Sequence, residues 1–248
     1  MEHVSNKRFR ESIIRCNMAN SEIIGAGQDT AHRAPKKYKI IYADPPWNFG
    51  NRLRNGTKQA NGTINTRYYF VDYQTMKTKN ICALPISDIA DQDCALFIWS
   101  TDAHVPDCLS VISAWGFKYS TVAFVWQKKE KSGVDSCHVG FWTNKGCEIC
   151  FLATKGSMSK YIVNRTVRQL VVACRDRHSK KPQEVRDRIN TMFGNIPKIE
   201  LFARQRVEGW DTWGNEIEES PVLGEESTAQ ETDRLNNLIR KLKKGERW

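Results

Sequence analysis

At 248 residues the chain has the length of one mid-sized domain with tails, enough to bury a core without disulfide or metal staples. No apolar run approaches the ~20 residues of a membrane span, and Met1–Arg15 lacks the apolar stretch and cleavage site of a secretory signal. An intracellular, cytoplasmic setting is therefore expected, with no membrane partner, and the formal charge of +10 suits a polyanion such as nucleic acid.

Residues 1–37 are polar and read as an N-terminal extension. Lys39–Ala43 is a compact apolar strand that runs into Asp44-Pro45-Pro46-Trp47, where two prolines force the chain out of the sheet. The stretch 50–67 is rich in Asn, Gly, Thr and basic residues and reads as a long, mobile, basic loop. A helical stretch is expected over Thr75–Ile89, ending in the Leu84-Pro85-Ile86 turn, then a buried strand over Ala95–Trp99. Ala103–Trp115 has helical periodicity closed by Gly116, and Tyr119–Trp126 reads as a strand. Residues 127–146 form a second polar loop, followed by strands at Glu148–Thr154 and Val167–Ala173. His178-Ser179-Lys180-Lys181-Pro182 introduces a helix over Gln183–Phe193, and Lys198–Ala203 is the last strand. This alternation predicts an α/β domain over 38–217 with a mostly parallel sheet and a charged, partly helical tail over 218–248.

The eight cysteines (16, 82, 94, 108, 137, 147, 150 and 174) are irregularly spaced. Cys147-x-x-Cys150 has no second pair at zinc-finger spacing, so reduced thiols and no metal site are expected.

Asp44-Pro45-Pro46-Trp47 carries the chemistry. Ligands of open α/β sheets bind beyond the carboxyl ends of strands, where this segment stands. Its residue types suit an exocyclic amino group such as that of adenine, a poor nucleophile whose lone pair is delocalised into the ring. The Asp44 carboxylate and the Pro45 carbonyl are expected to accept its two N–H bonds, with Pro45 and Pro46 fixing the backbone. Trp47 is expected to offer a face for base stacking. Were such a nitrogen to take a methyl group, no strong base would be required, because the product nitrogen is cationic and sheds its proton readily. Duplex DNA would present its adenine by base flipping.

These residues resemble the MT-A family, named for a seventy-kilodalton subunit, of adenine N6-methyltransferases. The resemblance spans roughly 38–217 in order. It runs through Tyr68–Met76, Phe97-Ile98-Trp99, Phe124-Val125-Trp126 with Lys128, and Gly140, Trp142, Asn144, Gly146 and Glu148. It ends in His178–Pro182 with Glu184, Ile199–Arg204, Gly209-Trp210-Asp211 and Gly214-Asn215-Glu216. It implies a Rossmann-like methyltransferase fold with helices on both faces and permuted order, the catalytic motif first. It further implies S-adenosylmethionine as cofactor, held by Asp44, His178, Ser179, Lys181, Pro182, Phe202, Ala203 and Arg204, with Asn215 and Glu216 on the ribose. One departure is clear: family members carry a lysine for the cofactor carboxylate where this chain has Cys147, leaving Lys145 or Asn144 to take that role.

The basic loops supply Arg52, Arg54, Lys58, Arg67, Lys128 and Lys129 as candidate phosphate contacts. A self-contained chain resembles bacterial and phage members, which favours DNA over RNA by analogy. A silent nucleic-acid-binding partner subunit is the competing reading, disfavoured because Asp44 and both prolines are intact. A homodimer or a larger assembly joined through Asp233–Lys244 is also compatible with the sequence.

Overall fold

The computed structural model describes residues 36–49, 75–140, 142–176, 180–214 and 217, and the backbone of 55–58 and 64–67. The N-terminal extension and the tail beyond 217 lie outside the described residues.

Seven strands build the main sheet: β1 (Tyr38–Ala43), β4 (Ala90–Ser100), β5 (Lys118–Lys129), β6 (Cys147–Lys155), β7 (Leu170–Cys174), β8 (Lys198–Leu201) and β9 (Asp211–Trp213). Their order is β7-β5-β6-β4-β1-β8-β9, and β6 alone runs antiparallel to both its neighbours. The remaining pairs are parallel, as the alternating pattern predicts. β6 reverses because residues 130–146 return the chain from β5 without a crossover helix. A separate antiparallel hairpin, β2 (Asn55–Lys58) with β3 (Ile64–Arg67), replaces the structureless loop expected at 50–67. The sequence joining its strands contains Asn61-Gly62, a pair that favours hairpin turns.

Alternation along the central strands feeds two cores, one on each face. Ile41, Ala43, Leu96 and Ile98 meet Ile81 of helix α1 (Thr78–Cys82) and Cys108, Val111 and Ile112 of α2 (Val105–Ala114). Ile40, Tyr42, Phe97 and Trp99 face the opposite way, towards Val185, Ile189 and Phe193 of α3 (Gln183–Phe193). The i, i+4, i+8 spacing of these three places them on one helix face, and each such burial contributes about 1.5–3 kcal/mol. Gly194, at φ 65°, ends α3 with its N–H on the Asn190 carbonyl.

A buried fork fixes α3 to the sheet. Arg186 Nε and Nη2 donate to the two Glu200 carboxylate oxygens at 2.7 and 2.6 Å, and the guanidinium lies 5.6 Å from the Tyr42 ring centre. Lysine keeps the charge but loses the two-pronged geometry. Arg186→Lys is therefore expected to lower stability by about 1–3 kcal/mol, read as a lower urea midpoint at unchanged slope.

Two expectations need correction. Thr75–Ile89 is not one helix: α1 stops at Cys82, and a 3₁₀ turn follows at Ile86–Asp88, because Pro85 cannot continue the ladder. Residues 127–129 are not loop but the end of β5, held between β6 and β7.

Candidate active site

Registers across the sheet bring one set of residues to one edge. Ala43 pairs with Leu201 and Ile98, so Asp44 leaves β1 beside Phe202 on one side and Trp99 on the other. Leu201 pairs with Trp213, which carries Gly214 to the same edge. Because β6 is antiparallel, its first residues, Cys147 and Glu148, also stand here, opposite Gln127 and Trp126 of β5. This is the carboxyl end of every parallel strand, and the sheet grows in opposite directions from β1, the place where such folds bind ligands.

Four charged side chains form a continuous chain at this edge. Lys181 Nζ donates to Asp44 Oδ2 at 2.6 Å and lies 3.1 Å from Glu148 Oε2. Lys128 Nζ donates to Glu148 Oε1 at 2.5 Å. The Lys181 side chain is buried at 6% exposure, while Asp44 keeps 22%, so the carboxylate is the member that faces outward. The Lys181 ammonium also lies 5.6 Å from the Trp99 ring centre.

The electrostatics divide the two acids. Burial lifts Asp44 above the ordinary aspartate value, outweighing the opposing pull of Lys181 and Arg204. Burial pushes Glu148 upward too, but the ammonium groups of Lys181 and Lys128 overcome it and hold the acid below its usual range. Lys181 is raised despite its burial, because Asp44 and Glu148 both stabilise its charge. Glu148 is thus a fixed anion that keeps Lys181 charged beside Asp44.

The dipeptide after Asp44 has a fixed path. Trp47 N–H donates to the Pro45 carbonyl at 2.8 Å, leaving that oxygen a second lone pair, while the Pro46 carbonyl accepts from Met76 N–H at 2.8 Å. Trp47 does not present a free face. It is 4% exposed, its Nε1 donates to the Trp99 carbonyl at 3.0 Å, and its ring stacks on His104 at 5.6 Å. The expected base platform is therefore a packed anchor. His104 is itself buried, with Nδ1 2.8 Å from Thr101 Oγ1 and Nε2 3.3 Å from the Asn48 carbonyl oxygen.

Of the expected cofactor residues, Asp44, Phe202, Ala203 and Arg204 come together at the ends of β1 and β8. Phe202 has φ 60°, and among the described residues it is the only non-glycine with positive φ. Such backbone costs about 1–3 kcal/mol and gathers at binding sites. Ala203 N–H is tied to the Trp213 carbonyl at 2.9 Å, and a Cβ on Gly214 would fall 2.0 Å from the Ala203 oxygen. Phe202, Arg204 and Gly214 stay partly exposed around this tight turn, beside the Asp44 carboxylate at the strand ends, an arrangement that fits S-adenosylmethionine.

Lys181 departs from its expected role: its ammonium is bound to two carboxylates, so it acts through Asp44, and Pro182 serves as N-cap of α3. His178, Ser179, Asn215 and Glu216 lie outside the described residues. So do Arg52 and Arg54, while Lys58 and Arg67 are described by backbone alone, at opposite ends of the hairpin.

Lys128 is likewise corrected from a phosphate contact, since its charge is held inward by Glu148, at 18% exposure. Lys129 pairs with the exposed Asp135 at 2.7 Å. Lys145 is bound to Asp102 at 2.5 Å, and Asn144 and Cys147 are exposed. Glu148, Trp99 and His104 are parts of the site whose roles the sequence alone does not assign. A lone glutamate opening the apolar run Cys147–Ala153 was the available signal for the first.

Known proteins share sequence with this chain over most of its described length. The type II methyltransferase M.MunI of Mycoplasma sp is 37% identical over 194 residues, covering 75% of this chain and 81% of that protein. A putative N(6)-adenosine-methyltransferase MT-A70-like of Medicago truncatula is 27% identical, over 73% of this chain and 26% of its own. The N(6)-adenosine-methyltransferase catalytic subunit METTL3 of Homo sapiens is 24% identical, over 78% of this chain and 30% of its own. The chain thus spans most of the bacterial relative but about a quarter to a third of these eukaryotic ones. A family profile described as MT-A70 matches residues 38–216, from the first residue of β1 to just past the Gly214 turn. With its strand-end motif, charged chain and strained β8 turn all inside that span, the protein belongs to the MT-A70 family.

Proposed function

We propose that this protein methylates the N6 amino group of adenine in DNA, using S-adenosylmethionine. The observation that carries the reading is Asp44: a partly exposed carboxylate at the carboxyl end of β1, held against buried Lys181 and beside the strained Phe202 turn. Bound S-adenosylmethionine supplies the electrophilic methyl group. An Asp44 oxygen accepts one amino N–H, and the free lone pair of the Pro45 carbonyl accepts the other. These bonds draw electron density onto the nitrogen and fix its approach. Lys181 holds the carboxylate still and ionised, and Glu148 and Lys128 hold Lys181.

Phe202, Ala203 and Arg204 contact the cofactor beside Asp44; His178, Ser179, Asn215 and Glu216, assigned to it by the family resemblance, lie outside the described residues. Of the two candidates for the role of the family lysine, Lys145 is bound to Asp102 while Asn144 is exposed, which favours Asn144 for the cofactor carboxylate. The basic segments around 50–67 meet phosphates.

DNA is preferred to RNA because the relative named as a type II methyltransferase matches along 81% of its length, against 26% for a plant N(6)-adenosine relative. Such a substrate places the enzyme inside the cell. Labelled cofactor offered in parallel to duplex DNA, single-stranded DNA and RNA tests the preference. Label entering DNA well ahead of RNA is expected; label in RNA alone would move the protein to the adenosine-in-RNA reading.

A further inference from the structure

Backbone hydrogen bonds among the described residues brace the turn between β5 and β6, which leaves a tryptophan exposed. Ser136 N–H donates to the Lys128 carbonyl at 2.9 Å and Lys128 N–H to that of Gly146 at 2.8 Å. His138 and Lys145 exchange both backbone hydrogen bonds, at 2.8 and 2.7 Å. A Cβ on Gly146 would lie 2.4 Å from the Ser136 oxygen, and one on Gly140 would lie 2.4 Å from the Thr143 oxygen. The backbone is therefore folded as closely as glycine allows. Lys145 Nζ ties it to Asp102, just past β4. At the tip, Trp142 is 97% exposed, with Val139 exposed nearby, whereas Trp99, Trp115 and Trp126 are fully buried.

A braced turn that keeps its largest apolar side chain out of the core forgoes a substantial hydrophobic gain, as contact surfaces do. The turn also has an address. Two residues past Gly146, Glu148 shares Lys181 with Asp44, so Trp142 rises from the rim of the proposed active site. The partner's chemistry follows from charge: a chain of net +10 favours a polyanion over an apolar protein face. A flat aromatic face offered to a polyanion at a base-modifying site fits a nucleobase.

We propose that Trp142 stacks on a base of the substrate strand, next to the adenine presented to Asp44. The inference rests on the reading of the protein as an adenine methyltransferase. It names a contact to the bases, distinct from the lysines and arginines that meet phosphate. Because every base has a π-face, the contact holds the strand without reading its sequence.

The test measures binding of a fluorescently labelled mixed-sequence single-stranded DNA and its duplex by anisotropy, with the full chain, Trp142→Ala and Trp142→Phe. Cofactor binding and methyl transfer are followed separately. Trp142→Ala is expected to weaken binding to the single strand roughly 5- to 150-fold. Trp142→Phe should restore most of it, and the dependence of affinity on salt should keep its slope, since no phosphate contact is lost. The melting temperature and cofactor affinity should stay at wild-type values. Alanine binding as tightly as wild type, or phenylalanine as weakly as alanine, would overturn the proposal. Loss of self-association in Trp142→Ala with unchanged DNA binding would overturn it too, assigning the tryptophan to a second copy of the chain. Tryptophan-dependent binding by a wild-type protein that transfers no methyl group would instead sink the methyltransferase reading and leave the stacking contact standing.

Discussion

Asp44→Ala is expected to lower methyl transfer by roughly 10²–10³-fold or more, the loss that follows removal of one preorganised polar group at a reacting centre. Asp44→Asn should fall nearly as far, since it keeps the shape and one acceptor oxygen but loses the charge. Stability is expected to move much less, because two effects oppose. Asp44 is lifted by burial, so its ionised form works against folding: the stability it contributes is present below the unfolded value of 3.8 and is lost as pH rises through the higher folded value. Lys181, in turn, loses one of its two anions, but Glu148 remains at 3.1 Å. The Lys181 side sets the sign of the pair, since two carboxylates act on one ammonium. Activity that collapses while the unfolding midpoint shifts little marks Asp44 as a functional group kept at some cost to stability. A midpoint drop as large as the activity loss would mark it as structural. In the wild type, turnover should decline in acid at a pH above the ordinary aspartate range, where the lifted carboxyl takes its proton.

Lys181→Met carries the second large effect. It leaves Asp44 and Glu148 as neighbouring carboxylates without the ammonium between them, a defect worth about 3–5 kcal/mol when a buried pair is broken on one side. Both acids should then titrate at higher pH, so the acid limb of the turnover profile moves upward and maximal turnover falls, with the cofactor dissociation constant little changed. The stability defect has its own pH signature. Lys181 is held above 10.5 in the folded protein, so its contribution is fully present below that value and fades as pH rises through the folded value. Glu148 contributes above 4.5 and loses its share as pH falls through its lower folded value. The gap between wild type and Lys181→Met is thus widest near neutrality and narrows towards acid, where both carboxyls are protonated. Urea unfolding at neutral pH and near pH 4, beside a pH profile of turnover, tests this. A variant with an unmoved acid limb would show that Lys181 does not act through Asp44.

The edge of the site was legible because it is local in sequence: an apolar strand running into Asp-Pro-Pro-Trp says where the chain leaves the sheet. Helix α3 was legible to the residue, since its apolar positions repeat at helical spacing between Pro182 and Gly194. What the sequence hid depends on register between distant strands. Lys128 reads as one more surface lysine until β5 and β6 pair and set Trp126 against Glu148. Trp47 reads as a free aromatic until the carbonyl of Trp99, 52 positions away, takes its indole N–H. The end of β5 looked like loop because Gln127, Lys128 and Lys129 are polar. Pairing on both sides keeps that backbone in the sheet while the Lys128 side chain serves the site and Gln127 and Lys129 hold Asp135.

The central claim is that this cleft methylates the amino nitrogen of adenine, and the identity of the product tests it most directly. Unmethylated DNA incubated with the wild-type protein and S-adenosylmethionine would be digested to nucleosides and the methylated species separated by mass. The geometry at Asp44 and Pro45 predicts N6-methyladenine, absent when Asp44→Ala replaces the wild type. Methylation on a ring carbon, on the amino group of cytosine alone, or undiminished in Asp44→Ala would contradict it.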